Sequence, residues 1–282
     1  MNKCILALVA GLTLFCSQSM AQKKKKRKTY PVYAVQPRPS ENDRFLQTQW
    51  WLGFKAGANT TTASPETRYS GFSPVNYEPT SNQKQYEDFG ALAGHAGLEI
   101  TLYHRGFSFS LQPNYRRQNF IYTNSYEWAE SENANNTLVL NYKQSHLLDY
   151  IEIPFFIKYD LTQTKLRPFV QVGAYYARLV GAQKSVEITG VDMASGNSSD
   201  FETQNLIIGA EDVFIKSSTG IAGGVGVSYD VWNVRFVFDA TYRYGLNTIA
   251  DAKNRYATNQ LASIGDAMDD VELRNISISL GC

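Results

Sequence analysis

The chain has 282 residues, of which 27 are basic and 26 acidic, so its formal net charge is +1. The three cysteines exclude an internal disulfide and a cysteine-based metal site, because Cys4 and Cys16 fall in a predicted leader and only Cys282 remains. No stretch has the roughly 20 apolar residues that a transmembrane helix needs, so any crossing of a membrane must use strands.

Residues 1–21 have the pattern of a secretory signal peptide. A positive start at Lys3 is followed by an apolar stretch over residues 5–15 and by the small-x-small cleavage site Ser19-Met20-Ala21. A lipoprotein anchored at Cys16 is the disfavoured alternative, because Phe15 stands where a small residue is required. The leader directs the protein away from nucleic acid, so we expect no nucleic-acid partner.

Residues 22–49 are predicted to be a basic, Pro-containing periplasmic linker. Six basic residues stand at 23–28, and Pro31, Pro37 and Pro39 indicate an extended chain after them. The basic run is either a solvated tail or a segment that contacts anionic lipid headgroups or a periplasmic protein. The sequence leaves both alternatives open.

The segment from Trp232 to Leu246 alternates strictly between two kinds of side chain. Its even positions are apolar, with aromatics at both ends, whereas its odd positions include Arg235, Asp239 and Arg243. Because successive side chains of a strand point to opposite faces, one face fits lipid and the other a polar interior. The mean hydropathy of −0.32 is compatible with this interpretation, since a barrel averages its lipid face with its interior and loops.

The same alternation recurs in seven other segments, near 50–59, 92–102, 107–116, 150–159, 170–176, 220–229 and 273–280. Very short turns at 104–106, 162–164 and after Asp230 alternate with long polar stretches at 62–90, 122–144, 185–213 and 248–270. We therefore predict an all-β fold, an eight-stranded antiparallel up-and-down transmembrane β-barrel over residues 50–281, with the tight turns in the periplasm and the long stretches as outer loops.

An eight-stranded barrel is only wide enough for side chains to fill its interior. The inward set forms a predicted lumen charge network, which consists of Lys55, His95, Glu99, Arg116, Glu152, Lys158, Arg235, Asp239 and Arg243. Buried charges persist when they are paired, so we expect a plugged barrel rather than a diffusion pore. Gly220, Gly224 and Gly226 leave inward room for larger side chains from neighbouring strands.

The stretch 150–159, with Glu152-Ile153-Pro154 and Lys158, resembles the Y-x-E-I-P-x-x-x-K strand of the PorT-like outer-membrane β-barrel family, found mainly in Bacteroidetes. Residues 167–173, 220–226, 242–247 and 273–281 resemble later strands of that family. The resemblance implies location in the cell outer membrane, and the name-giving members take part in type IX secretion and gliding. One departure is the end at Gly281-Cys282, where outer-membrane barrels usually have an aromatic residue.

We predict a monomeric, non-catalytic barrel that serves as a structural, scaffolding or interaction module, accessory to secretion or surface assembly. Its predicted partners are outer-membrane lipid and a periplasmic or surface protein, and we expect no cofactor, metal or catalytic residue. The alternatives are a small-solute channel and a hydrolase that uses His146. Strand alternation opposes the hydrolase, because His146 and Asp149 should point to opposite faces. The long loops either bind protein or glycan or fold over the barrel.

Overall fold

The computed structural model describes residues 47–69, 84–131, 136–193, 198–231, 234–255 and 267–282. The predicted signal peptide, most of the linker and Trp232 lie outside these residues. The strands are β1 (Gln49–Thr67), β2 (Gln85–Tyr86), β3 (Ala91–His104), β4 (Phe107–Leu111), β5 (Asn114–Ala129), β6 (Thr137–Asp160), β7 (Leu166–Asp192), β8 (Ser199–Gly209), β9 (Ser217–Val231), β10 (Val234–Gly245) and β11 (Asp270–Gly281). Among the described residues, no helix has the length and apolarity needed to cross a membrane.

Eight strand positions close into an antiparallel ring. β1 pairs with β3 on one side and with β11 on the other. From β3 to β11 the ring continues through β4 and β5, which follow one another in a single position because both pair with β3 and with β6. It then passes through β6, β7, β9 and β10, each paired with the next, and β10 pairs with β11. The ring has the number of strands and the neighbour order that the alternation predicts.

The short turns lie together at one end of the ring, which we call the hairpin end; the opposite end is the loop end. β3 ends at His104 and β4 begins at Phe107, and the two residues between them, Arg105 and Gly106, have φ angles of 50° and 88°. Positive φ at both central residues is typical of the type I′ turn, whose twist matches that of the flanking strands. The local sequence thus fixes this hairpin.

The outer surface of the ring carries a band of exposed apolar side chains. On β6 the outward residues Ile151, Ile153, Phe155, Ile157 and Tyr159 are each 40–49% exposed. This stretch is about 26 Å long, at roughly 3.3 Å per residue. With a strand tilt of roughly 40° this length rises about 20 Å, most of the apolar band of transmembrane barrels, which is about 25 Å tall. The outward apolar and inward polar parity that the sequence predicts is confirmed here.

The strands on one side of the ring continue well beyond this band. β6 has 24 residues and β7 has 27, whereas a transmembrane strand needs about 9–11. The prediction of polar loops at 122–144 and 185–213 is therefore wrong for most of both stretches, which form the ends of β5 and β7, the start of β6, and β8. The alternation of apolar and polar side chains is weak in these stretches because polar residues such as Asn, Gln, Ser and Thr occur on both faces. The backbone hydrogen-bond ladder between the strands nevertheless continues, and Tyr122, Tyr126 and Val186 are buried on the inward face.

The interior towards the loop end is apolar, which the sequence analysis did not anticipate. A cluster of buried residues there includes Phe120, Leu148 and Leu179 from the strands and Phe214, Ile249 and Met268 from connecting segments. The connecting segments fold inward because their own apolar residues have no other place to be buried. Of the two alternatives for the long connections, packing over their own barrel is the one observed for these residues.

Candidate functional site

Four charged residues form the layer of the interior that lies nearest the hairpin end. The guanidinium of Arg235 binds Asp230 through Nε–Oδ1 at 2.7 Å and Nη2–Oδ2 at 3.0 Å, and Arg167 Nη2 lies 2.8 Å from the same carboxylate. Arg167 also lies 3.8 Å from Asp160. The guanidinium of Arg235 stacks 4.6 Å from the ring centre of Trp51, so this layer combines ion pairs with aromatic contacts.

The next layer contains two buried lysine–carboxylate pairs. Lys55 Nζ lies 2.5 Å from Asp239 Oδ2, and Lys158 Nζ lies 2.5 Å from Glu99 Oε1. Glu99 Oε1 also accepts hydrogen bonds from Ser110 at 2.9 Å and from Thr101 at 3.1 Å. These additional donors satisfy the carboxylate in a place where water has little access.

A third layer is built around Glu152, which is 1% exposed and lies between two arginines. Its Oε2 is 2.6 Å from Arg116 Nε, and its Oε1 is 3.0 Å from Arg243 Nε. Arg116 donates a further hydrogen bond to Asn275 at 3.3 Å, and Arg243 donates one to Ser277 at 2.7 Å. Two guanidiniums therefore share one carboxylate, and side-chain oxygens of Asn275 and Ser277 on β11 accept hydrogen bonds from other N–H groups of the two arginines.

The cavity that the described residues enclose in this part of the ring is small. A cavity beside Lys55, His95, Arg116 and Arg243 holds about 10 Å³, which is space for about one water molecule. His95 Nε2 lies 2.9 Å from the hydroxyl of Ser279, across the ring. The side chains that the sequence placed in the lumen thus lie against one another.

Of the nine residues of the predicted charge network, eight are buried and Arg235 is partly buried. The structure pairs Lys55 with Asp239, Glu99 with Lys158, and Glu152 with both Arg116 and Arg243, but leaves His95 outside the ion pairs. Arg235 pairs with a residue outside the predicted set. Sequence reasoning missed the inward residues Asp160, Arg167 and Asp230. Strand parity could have found them, since Asp160 follows Glu152 and Lys158 at even positions of β6.

The inward glycines of β9 accept the large side chains that the sequence predicted. A Cβ on Gly226 would lie 2.4 Å from the ring of Phe169 and 2.7 Å from Asp239 Cβ. A Cβ on Gly220 would lie 2.4 Å from the ring of Tyr175. These glycines therefore let two aromatic rings from β7 fill the interior.

Apolar residues of the connecting segments cover the charged layers at the loop end. Phe214 is 1% exposed and packs edge-on against Phe120, at 6.4 Å between ring centres. Backbone hydrogen bonds join the two segments, from Ile215 N to Ile249 O and from Asp251 N to Val213 O, each at 2.8–2.9 Å. This apolar layer separates the ion pairs from the solvent at the loop end.

A polar contact network lies beyond the apolar layer. Lys84 Nζ lies 2.7 Å from Asp269 Oδ1 and also contacts the carbonyl oxygen of Ala267. The hydroxyl of Tyr86 donates to the other oxygen of Asp269 at 2.9 Å, and the backbone N–H of Tyr69 donates to Asp269 Oδ1 at 2.8 Å. One carboxylate thus ties the segments before β2 and β11 to the end of β1.

His146 is enclosed in an aromatic cluster instead of a polar site. Its ring stacks on Phe120 at 4.9 Å, meets Phe214 at 5.6 Å, and places Nε2 3.2 Å from the hydroxyl of Tyr122. Burial lowers the pKa of His146 well below its usual value, so the ring is neutral at pH 7. Asp149 points to the outer face and binds Arg117 at 2.7 Å, as strand alternation requires.

The described residues contain no group of three or more His, Cys, Asp or Glu side chains that could hold a metal ion. Cys282 is partly buried, and its backbone N–H donates to Phe54 O at 3.0 Å.

The chain matches a family model described as outer membrane protein beta-barrel domain over residues 21–251. None of the curated proteins compared with the chain matches it. Among solved structures, it is similar to Neisserial surface protein A (NspA), at 16% identity and a TM-score of 0.33, over 83% of this chain and 97% of the other. It is also similar to Ail, the attachment invasion locus protein of Yersinia pestis, at 12% identity and a TM-score of 0.27, over 82% and 95%. Similarity this low supports no argument about activity.

Proposed function

The chain belongs to the outer membrane protein beta-barrel domain family and is located in the cell outer membrane, and from this premise we propose that it is a sealed, non-catalytic transmembrane barrel of eight strands. Its role is that of a structural and interaction module, in which the barrel is the anchor and the extension of β5–β8 at the loop end is the working surface. The loop end faces outward in this proposal.

The observation that carries the proposal is the filled interior. The paired charges of Lys55, Glu99, Glu152 and Asp239 occupy the middle of the ring, and the layer around Phe214 covers them at the loop end. A conducting pore would need a continuous water-filled path, and side chains fill barrels of this strand number. The small-solute channel is therefore the less favoured function.

Conductance in planar lipid bilayers tests the sealed state. We expect refolded full-length protein, with its fold verified by heat-modifiable migration in gels, to give no steady ion current. A porin inserted under the same conditions shows that a current would be detected. A stable current that scales with the number of inserted barrels would overturn the sealed interior and favour the channel.

The hydrolase alternative depends on His146, and its surroundings do not support it. The ring is buried among aromatic side chains, and the carboxylate of Asp149 points away from it. We expect His146→Ala to leave any hydrolytic activity of the purified protein unchanged. Loss of a measurable activity in this variant alone would favour the enzyme.

Site-specific crosslinking in native membranes tests the interaction module. A photo-reactive amino acid at Ile207 probes the extension, and one at Leu52 is a matched control, because the two side chains are 77% and 76% exposed. We expect a defined protein adduct from position 207 and lipid adducts alone from position 52. A protein adduct from a secretion or surface-assembly component would support the accessory role suggested by the PorT-like resemblance. The absence of any protein adduct at position 207 would refute the interaction role.

A further inference from the structure

The outer face of β5, β6 and β7 changes character abruptly where the apolar band ends. The last wholly apolar rung that joins β6 and β7 on this face is Ile153 with Tyr176, and the following rung, Tyr115, Ile151 and Arg178, already carries one charge. The next rung contains Arg117, Asp149 and Gly181. Charge thus begins within one rung, at the level where lipid headgroups replace hydrocarbon.

The two arginines at this boundary differ in their partners. Arg117 is held by Asp149 through Nε–Oδ1 at 2.7 Å and Nη2–Oδ2 at 3.1 Å, and its side chain remains 46% exposed. Arg178 is exposed on β7, two strands away from Arg117, and has no ion-pair partner among the residues that the structure describes. A guanidinium in this position can bind a phosphate oxygen with two parallel N–H donors.

Above the arginines most outward positions of this face are polar, interrupted by the apolar side chains of Ile121 and Leu147. Ser145 donates to Asn119 at 2.9 Å, and higher up lies a depression of about 720 Å³. Six of its twelve lining residues are outward-facing positions of β5–β7, namely Thr123, Ser125, Asn141, Lys143, Glu187 and Thr189. The other six are Arg68, Lys84, Gln85, Tyr86, Asn124 and Tyr142, from the residue after β1, from β2 and the residue before it, and from inward positions of β5 and β6. The volume is within the range of ligand sites, and the hydroxyl, amide and charged groups match the donors and acceptors of a saccharide.

Distance links the two parts of this surface. Lys143 lies eight positions from Ile151 on β6, about 26 Å along the strand at roughly 3.3 Å per residue. For a strand tilted by roughly 40°, the depression lies about 20 Å above the apolar band. A ligand that reaches both parts must have phosphate at the membrane surface and several sugar units beyond it.

We propose that the outer face of β5–β7 binds the phosphorylated saccharide headgroup of an outer-leaflet glycolipid. Arg178, together with Arg117, binds phosphate at the boundary, and the depression around Lys143 and Glu187 binds the sugar chain. The carboxylates on this face accept hydrogen bonds from sugar hydroxyls. This inference rests on the proposed orientation, with the loop end outside the cell, but not on a sealed interior.

The test measures glycolipid binding by the full-length protein in nanodiscs. Native mass spectrometry counts bound molecules of purified lipopolysaccharide, and nanodiscs that contain phosphatidylglycerol instead provide phosphate without sugar. We expect Arg178→Ala to weaken lipopolysaccharide binding by about tenfold, as loss of one charge-assisted contact implies. Arg274→Ala is the matched control, because Arg274 also faces outward near the band but on β11, where it stacks 5.3 Å from Tyr244; we expect no change.

Two results would overturn the inference. Equal lipopolysaccharide binding by wild type, Arg178→Ala and Lys143→Ala would remove the site altogether. Equal affinity for phosphatidylglycerol and lipopolysaccharide would contradict the saccharide part. A conducting barrel would refute the sealed interior proposed above and would leave this site unaffected, so the two failures are distinguishable.

Discussion

Two ion pairs between β5 and β6 provide an internal comparison of a buried and an exposed charge. Arg116 and Glu152 face the interior and are 0% and 1% exposed, whereas Arg117 and Asp149, on the same two strands, face outward at 46% and 20%. Both pairs join an arginine to a carboxylate, at 2.6 and 2.7 Å. They differ in burial, and Glu152 has a second arginine partner in Arg243.

Glu152→Gln keeps the shape of the buried side chain but removes its charge. The change leaves the guanidiniums of Arg116 and Arg243 without their shared counter-charge, in an interior that excludes water. Breaking a buried pair in this way costs about 3–5 kcal/mol. Asp149→Asn breaks the outer pair, for which about 0–1 kcal/mol is expected.

The assay is urea unfolding of protein refolded into phosphatidylcholine vesicles, followed by tryptophan fluorescence and by heat-modifiable migration. The free energies of unfolding can be compared when the slope of the unfolding free energy against urea concentration is the same for all variants. Adding Arg243→Met to Glu152→Gln should recover part of the loss, because one of the two uncompensated charges is then removed. A cost below about 1 kcal/mol for Glu152→Gln, or an equal cost for Asp149→Asn, would refute the argument that the interior charges are desolvated.

Three further predictions concern other parts of the interior. Phe214→Ala should destabilise the apolar layer by about 3–5 kcal/mol and speed limited proteolysis at the loop end, whereas the exposed Ile207→Ala should not; equal cleavage rates would contradict the layer. Gly226→Val should cost about 1–3 kcal/mol by overpacking against Phe169, and Phe169→Ala in the same chain should relieve part of that cost in urea unfolding; independent effects would count against the contact. Because the pKa of His146 is lowered in the folded protein, the stabilisation from burying its neutral ring is complete above the unfolded-state pKa of about 6.5. Below that pH the free energy of unfolding falls by about 1.4 kcal/mol per pH unit, since the unfolded state binds a proton that the folded state does not. Unfolding curves at pH 7.5 and 5.5 should therefore diverge more for the wild type than for His146→Phe, and identical pH dependence would refute the neutral buried ring.

The sequence predicted the ring well where one face of each strand is apolar. Ile151, Phe155 and Tyr159 alternate with Glu152 and Lys158, and a one-residue slip in register would reverse all of them. Parity therefore assigned the side chains of this region correctly. The same rule also applied to Asp160, Arg167 and Asp230, which were overlooked because they stand at strand ends next to turns.

The prediction failed where both faces of a strand are polar or mixed. In the ends of β5, β6 and β7, the outward positions carry Ser, Thr and Asn, and so do several inward ones, such as Asn124. The contrast that identifies a strand is then lost, although the backbone ladder continues. Beyond the bilayer the outer face of a strand contacts water and needs no apolar residues. Such strands are therefore polar in composition, and the sequence pattern predicted loops in their place.

The alternation of apolar and charged residues was sufficient to determine the eight strand positions of the ring, their antiparallel order and the inward face of the nine residues of the charge network, because a strand has a fixed period of two. Tertiary structure alone decided which charge meets which, as with Glu152 between two arginines, since pairing depends on ring closure and register between distant strands. It also decided that Phe214 and Ile249 cover the interior. Their burial requires segments far apart in the chain to meet, and no local pattern encodes that meeting.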